Sequence, residues 1–243
     1  MDTIKKYIIL ANGLFPTNKK VLSILRSADK IICCDNAIES LMNYKDEKGN
    51  PFKNANYIVG DLDSISEENK KKFNEILSYN PDQETNDLTK TVKFALELMH
   101  KENDIAKIYI LSASGKREDH LLGNLSLLLD YGILMNCNKH IQEKLDNRYI
   151  DYPISLLTDY GVFYPIYNTI EINTHIGSYV SIFSNDESLN IKSVGLKYPV
   201  DSVIFNAWWK ASLNTNNTKN FTLKFNHPSK VLLYIEHSDN QTI

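Results

Sequence analysis

Short apolar runs separated by amphipathic stretches mark the first half of the chain. Tyr7–Ala11, Ile31–Cys34, Tyr57–Gly60 and Ile108–Leu111 each read as a strand, and segments of helical length lie between them up to about Tyr131. That alternation is the pattern of a parallel sheet covered by helices. One helix is expected from Asp87 to about His100, where Leu88, Val92, Ala95, Leu96 and Met99 form a single stripe. Another starts near Asp119, with Leu121, Leu122, Leu125, Leu128 and Leu129 on one face. Both open on an acidic residue, as helix N-termini favour. A third helix is expected over Glu67–Leu77, with a lysine-rich outer face.

After about Asn147 the period changes. Phe221–Phe225 alternates cleanly, Tyr179–Phe183 and Val231–Ile235 read as further strands, and turn-rich pieces such as Asn214–Asn220 separate them. No long helical stripe remains, so an antiparallel sandwich or partial barrel is expected. The polar stretch Asn138–Tyr152 is the candidate linker. The expected organisation is an α/β domain at residues 1–147 and a β-sandwich at residues 148–243.

Composition narrows this picture without redirecting it. A chain of 243 residues, 42% hydrophobic and 23% charged, can bury a full core. A formal charge of −3 gives no general attraction to nucleic acid, so local cations are site residues or ordinary surface. Cys33, Cys34 and Cys137 have neither metal-ligand spacing nor a disulfide framework. No apolar run reaches membrane-spanning length, and Tyr7–Ala11 is too short for a signal-peptide core. The expected location is the cytoplasm, with no membrane partner.

The carboxylates change the picture most. Asp35 follows the second strand, Asp61 and Asp63 the third; Asp87 opens a helix, and Asp119-His120 follows the fourth strand by way of Gly115-Lys116-Arg117. Ligands of open α/β sheets bind outside the carboxyl ends of the strands, so these loops should meet at one edge. Acids that hold a divalent cation, interleaved with Lys90, Lys116 and Arg117 to hold phosphate, suit phosphoryl transfer from a nucleotide.

Each group also has a plainer reading. Asp61 and Asp63 repel by about 4 kcal/mol at ~4 Å and an effective dielectric near ~20, a cost that bound Mg²⁺ reverses; alternatively they cap the next helix. Asp87 and Lys90 share a helix face and make either a site or a surface ion pair. Gly115-Lys116-Arg117 sits before a helix start, a natural anion site, although Asp119 could serve there only as an N-cap. His120 is a phosphate ligand, a general acid or a surface residue. Trp208 and Trp209, if on a strand, point to opposite faces; one could stack on a flat cationic ring or cover an interface.

Gly60-Asp61-Leu62-Asp63-Ser64, then Thr85-Asn86-Asp87-Leu88-Thr89-Lys90, then Gly115-Lys116-Arg117-Glu118-Asp119-His120 together resemble the thiamine pyrophosphokinase (thiamine diphosphokinase) family. Gly195-Leu196-Lys197-Tyr198 is similar to a late motif of that family, and the resemblance spans nearly the whole chain. It implies an α/β domain followed by a β-sandwich, in a homodimer with shared active sites. It implies ATP and thiamine as substrates, Mg²⁺ as cofactor, and transfer of the pyrophosphoryl group to give AMP and thiamine diphosphate. By motif, Asp35, Asp61, Asp63 and Asp87 would form the catalytic acidic centre, with Asp61, Asp63 and Asp87 on the metal. Lys90, Lys116, Arg117, Asp119 and His120 would contact ATP or the transferred group. Ser212 and Asn214 resemble a Ser-x-Asn element of the thiamine pocket, to which Trp208 would belong.

Three positions depart from the family pattern: Asn36 stands where glycine often follows the first acid, Asn86 replaces a common threonine, and Ala207–Leu213 lacks a glycine. Two other classes fit the residues: a metal-dependent hydrolase of a nucleoside diphosphate compound, and a non-catalytic nucleotide-binding sensor. A full acid set favours an enzyme over a sensor, and a C-terminal ligand pocket favours a kinase over a hydrolase.

Overall fold

The computed structural model describes residues 4–46, 48–52, 54–136 and 153–238. Cys137, the expected linker Asn138–Tyr152 and the expected boundary after Asn147 lie outside the described residues. The chain forms two compact units, Met1–Leu127 with Leu156–Asp159, and Leu128–Ser155 with Tyr160–Ile243.

The first unit runs β1 (Lys5–Leu10), α1 (Lys19–Arg26), β2 (Lys30–Cys34), α2 (Ala37–Asn43), β3 (Tyr57–Gly60), α3 (Glu67–Lys72), β4 (Leu77–Tyr79), α4 (Asp87–Lys101), β5 (Ala106–Leu111) and the start of α5 (Glu118–Asn136). Its strands lie in the order β5-β1-β2-β3-β4, all parallel. Tyr7–Leu10 and Ile31–Cys34 are buried residue by residue, which is why these strands read as unbroken apolar runs. The chain moves outward from β1 to β4 and then returns to place β5 on the other side of β1. That reversal makes the carboxyl ends of β1 and β5 the topological switch point, where open α/β sheets bind ligands.

Three expectations change in detail. Glu67–Leu77 is not one helix: α3 ends at Lys72, Asn74–Ile76 makes a 3₁₀ turn, and Leu77 pairs with Ile58 as the first residue of β4. The ladder offered by β3 outweighs a weak helical period. On α4, Leu98 is buried in addition to Leu88, Val92, Ala95 and Met99, and Leu96 is only half-buried. On α5 the buried hydrophobic side chains are Leu125, Leu128, Tyr131 and Met135, and Leu122 is exposed.

The second unit is antiparallel. β7 (Gly161–Ile166), β9 (Tyr179–Phe183), β11 (Ala211–Thr215) and β13 (Val231–Glu236) follow the order β11-β9-β13-β7; β8 (Ile170–Asn173), β10 (Ile191–Val194) and β12 (Asn220–Phe225) form a smaller sheet, β10-β12-β8. On β12, Phe221 and Leu223 are buried between outward neighbours, and they share one core with Ile172, Ile191, Val180, Ile182 and Leu233 from both sheets. This is the expected β-sandwich. Strand β6 (Ile154–Leu157) divides between the units at Ser155. Among the described residues no helix is long and apolar enough to cross a membrane.

Candidate active site

A cleft of about 380 Å³ opens at the β1/β5 switch point, lined by the loops after β1, β2, β3 and β5 and by the first turns of α4 and α5. Asp35, Asp63, Asp87, Lys116, Arg117 and His120 all line it.

Asp35 enters directly from β2 with φ +43, and its backbone N–H donates to Val59 O at 2.9 Å. The left-handed residue of this turn is thus Asp35 itself, while Asn36 is at φ −71. A Cβ on Gly60 would lie 3.0 Å from Asp35 Cβ, so glycine there lets the two strand ends approach. The Ser64 hydroxyl donates a hydrogen bond to Asp35 Oδ2, whereas Oδ1 is buried with no partner among the described residues. Burial, and then repulsion from Asp87, Asp61 and Asp63, push the Asp35 carboxyl above the ordinary carboxylate range, with the Ser64 hydrogen bond opposing.

The next turn places Asp61 and Asp63 on either side of Leu62, which is buried at φ +62. The plainer capping reading fails here, because Ser66 caps α3 by accepting from Asn69 N at 3.2 Å. Carboxylate oxygens of Asp35, Asp61 and Asp63 all lie within 4.8 Å of one another. Asp87 stands apart from that trio: Asn86 caps α4, and Asp87 in its first turn accepts from Lys90 Nζ at 3.0 Å. Lys90, only 3% exposed, also reaches Asp61 Oδ2 at 3.4 Å. Burial acts against the charges of both Lys90 and Asp61, but their mutual contact, the hydrogen bond that Lys90 donates to Asp87 and the one that Asp61 accepts from the Asp63 backbone prevail. The ammonium is held above its usual range, and the Asp61 carboxyl below its own.

Across the cleft, Ser112 at φ +57 and Gly115 at φ +90 bend the loop that carries the cations. Lys116 Nζ donates to Asn12 Oδ1 at 3.2 Å. Arg117 binds Asp119 through Nε at 3.0 Å and Nη2 at 2.6 Å, an exposed fork-shaped pair. Asp119 lies within the first turn of α5 instead of preceding the helix as a cap.

Three contributors have no role among the expectations drawn from the sequence. Ser64 partners Asp35, Asn12 meets Lys116, and Asn124 lines the cleft four residues after His120. Only the last has a usable pattern, the i, i+4 spacing on one helix face.

The second unit holds the remaining candidates. Trp208–Lys210 is a 3₁₀ turn before β11, so the tryptophans do not alternate as on a strand. Trp208 is 36% exposed with its ring 5.7 Å from that of Phe183, and Trp209 is 72% exposed. β11 bulges between Ala211 and Asn214, leaving Leu213 at φ +57 and exposed. Ser212 Oγ donates to Trp209 O at 2.6 Å. Asn214, 3% exposed, accepts from Tyr198 N at 3.1 Å and donates to Tyr198 O at 2.6 Å. Its amide therefore grips the backbone of the Gly195–Tyr198 turn.

Residues 21–141 match a family model described as the thiamin pyrophosphokinase catalytic domain, and residues 161–234 match one described as the thiamin pyrophosphokinase substrate-binding domain. Among solved structures, yeast thiamin pyrophosphokinase superposes with a TM-score of 0.69 at 17% identity, covering 99% of this chain and 89% of that one. A thiamin pyrophosphokinase family protein from Enterococcus faecalis gives 0.66 at 18% identity over 97% of this chain and 100% of its own. Thiamine pyrophosphokinase from Bacillus subtilis gives 0.64 at 19% over 97% and 100%. These identities support the fold, and a search of curated protein sequences found no significant match. With both domains of one family matched in order along most of its length, the chain belongs to the thiamin pyrophosphokinase family of enzymes.

Proposed function

We propose that the protein transfers the pyrophosphoryl group of ATP to the hydroxyethyl oxygen of thiamine, giving AMP and thiamine diphosphate. The observation that carries this reading is the cleft itself: Asp35 and Asp63, within 4.8 Å of each other and of Asp61, line it together with Lys116 and Arg117 at the switch point of a parallel sheet. Pure nucleotide binding has no need of so many acids, whereas moving a charged phosphoryl group does.

The acids fit a magnesium ion. They are hard oxygen donors, they repel one another as they stand, and the buried Asp35 Oδ1 has no partner among the described residues. Asp35, Asp61 and Asp63 would hold the ion, and Asp87, tied to Lys90, would reach it only by leaving that partner. When bound, it supplies positive charge against the phosphate oxygens. Lys90, anchored between Asp61 and Asp87, keeps a cation at the edge of the acidic cluster. Arg117 exchanges its exposed Asp119 partner for phosphate oxygens, a match for its planar fork. In the transfer, the thiamine oxygen bonds to the β-phosphorus as the bond to the α,β-bridging oxygen breaks. AMP leaves with that oxygen, and the hydroxyl proton passes to a carboxylate or water. His120 lines the same cleft from the first turn of α5 and would serve as a further phosphate ligand.

For the second substrate, Trp208 and Ser212 bind thiamine and Asn214 frames the site by fixing Tyr198. The domain roles follow: residues 1–147 take ATP and metal, and residues 148–243 take thiamine. The working form is a cytoplasmic homodimer, as the family resemblance implies.

The test is incubation with ATP, Mg²⁺ and thiamine, followed by identification of both products. AMP appearing in step with thiamine diphosphate supports the reading. ADP as the nucleotide product, hydrolysis of ATP without thiamine phosphorylation, or binding without turnover would each replace it, the last two in favour of the hydrolase and the sensor.

A further inference from the structure

The loop between β5 and α5 is held by its carbonyl groups. Leu111 O accepts from Ala11 N at 2.9 Å, Ser112 O from Gly13 N at 2.6 Å, and Ser114 O from Leu14 N at 2.9 Å. All three donors belong to the segment after β1. The carbonyl between them, Ala113 O, is taken from the other side by the Asn124 side chain, whose Nδ2 donates at 3.0 Å. Ala113 is itself buried and stands between the left-handed residues Ser112 and Gly115. Such a loop does not keep its shape through local preference, because a non-glycine residue at positive φ is disfavoured; its partners must hold it. Two residues beyond Gly115 the same loop presents Arg117, with Lys116 between them.

Asn124 also stands one helical turn after His120 on α5, and both line the cleft. One amide thus ties the helix that carries His120 to the loop that carries Lys116 and Arg117. We propose that Asn124 is a positioning residue of the phosphate site: it acts by fixing the Ala113 carbonyl, and through it the cation loop. The proposal rests on the ATP reading above. It explains why an asparagine serves at this place. Leucine fills similar space without a donor, aspartate would set a carboxylate against a carbonyl, and serine offers a donor on a shorter arm.

The test combines Asn124→Ala, Asn124→Leu and Asn124→Ser with a double-mutant cycle against Arg117→Ala. Asn124→Ala and Asn124→Leu should each lower kcat/KM for ATP, and weaken calorimetric binding of Mg·ATP, by about tenfold, the scale of one lost hydrogen bond. KM for thiamine should stay within about twofold, and Asn124→Ser should recover part of the loss. Added to Arg117→Ala, Asn124→Ala should cost no more than a further factor of about two, since it acts through the same loop. Because the leucine variant keeps the packing volume, a failure of the alanine variant to fold leaves the test in place.

Losses that multiply with Arg117→Ala would overturn the proposal, as would wild-type behaviour or a parallel rise in both KM values with a collapse of Tm. A wild-type enzyme that binds ATP but forms no AMP would refute the assigned reaction alone, and the binding ratios would still decide the role of Asn124.

Discussion

The cleft of the first unit and the Gly195–Asn216 region of the second leave opposite kinds of atoms unsatisfied. At the cleft, charge is in excess of its partners: the carboxylates of Asp35, Asp61 and Asp63 crowd together, and Asp35 Oδ1 is buried without a hydrogen bond among the described residues. In the second region the polar side chains are mostly spent on backbone. Asn214 grips Tyr198, Ser212 bonds Trp209 O, and Ser181 Oγ accepts from Leu213 N; only Asn216 Oδ1 is left over. What that region leaves outside is apolar: Trp209, Leu213 and Tyr198 are all exposed. On the proposed function, the cleft takes the ligand that brings charge and the second region the one that brings surface to cover. A phosphoryl donor with its metal and an aromatic, cationic acceptor are one such pair.

The largest expected effect tests the charged half. Asp63→Asn should cut turnover by about 10²–10³-fold, the usual cost of losing one electrostatic contributor to a transition state. The metal-free Tm should be unchanged or higher, since a mutual repulsion is removed and no cap is lost. Asp61→Asn should lose comparable activity but lower the metal-free Tm, because Lys90 is left with one carboxylate. Turnover assays and thermal melts in chelator check both. A Tm loss at Asp63 equal to that at Asp61 would mean that the acids are structural.

The asymmetry between the halves also governs what could be read in advance. Strands β1, β2, β3 and β5 were legible because a buried parallel strand needs an uninterrupted apolar run, and their ends located the acids. Strand β4 was hidden in a helical period, since only pairing with β3 selects its conformation. Asp87 and Asp61 were legible as acids, but their sharing of Lys90 was not, because it depends on where a loop and a helix meet in space. In the second half, Asn214 carried a motif signal, yet its amide is committed to Tyr198. Motif spacing locates a polar side chain without telling whether it faces a ligand or a backbone. The 3₁₀ turn that holds the tryptophans and the bulge in β11 after it have no sequence period, so the conditional strand geometry does not apply there.

A smaller effect comes from removing the grip in the second half. Asn214→Ala leaves the Tyr198 N–H and C=O without their side-chain partners, which should cost about 2 kcal/mol of stability. KM for thiamine should rise while the affinity for ATP is unaffected. Denaturant melts and separate KM measurements check this. A variant as stable as wild type with a high thiamine KM would show that Asn214 touches the ligand directly.

The pH dependence of the cleft gives a weaker signal, with a definite sign. The Asp35 carboxyl is raised by burial above its unfolded value of about 4, so the native state keeps a proton that the unfolded chain has released. Stability therefore falls as pH rises from about 4 through the raised value, and the penalty is complete above it. Asp61, held below its usual range by Asp63 and Lys90 despite burial, acts in reverse: its contribution is present above about 4 and disappears as pH falls through the lowered value. Asp35→Asn should accordingly raise the metal-free Tm at neutral pH, with the advantage over wild type shrinking in acid. An advantage independent of pH would show that relief of packing, not of charge, is responsible.

The smallest expected change in stability is at Trp209, and its smallness is the point. At 72% exposed its ring makes little of the core, so Trp209→Ala should alter stability by no more than about 0.5 kcal/mol. Trp208, half as exposed and set against Phe183, should cost more when truncated. If the region binds by offering surface, both variants should nevertheless raise KM for thiamine and leave the affinity for ATP unchanged. A Trp209→Ala enzyme with wild-type thiamine kinetics would assign ligand contact to Trp208 alone and reduce its neighbour to ordinary surface. Two variants wild-type in thiamine kinetics would break the comparison, because the exposed apolar atoms of the second unit would then have no part in substrate binding.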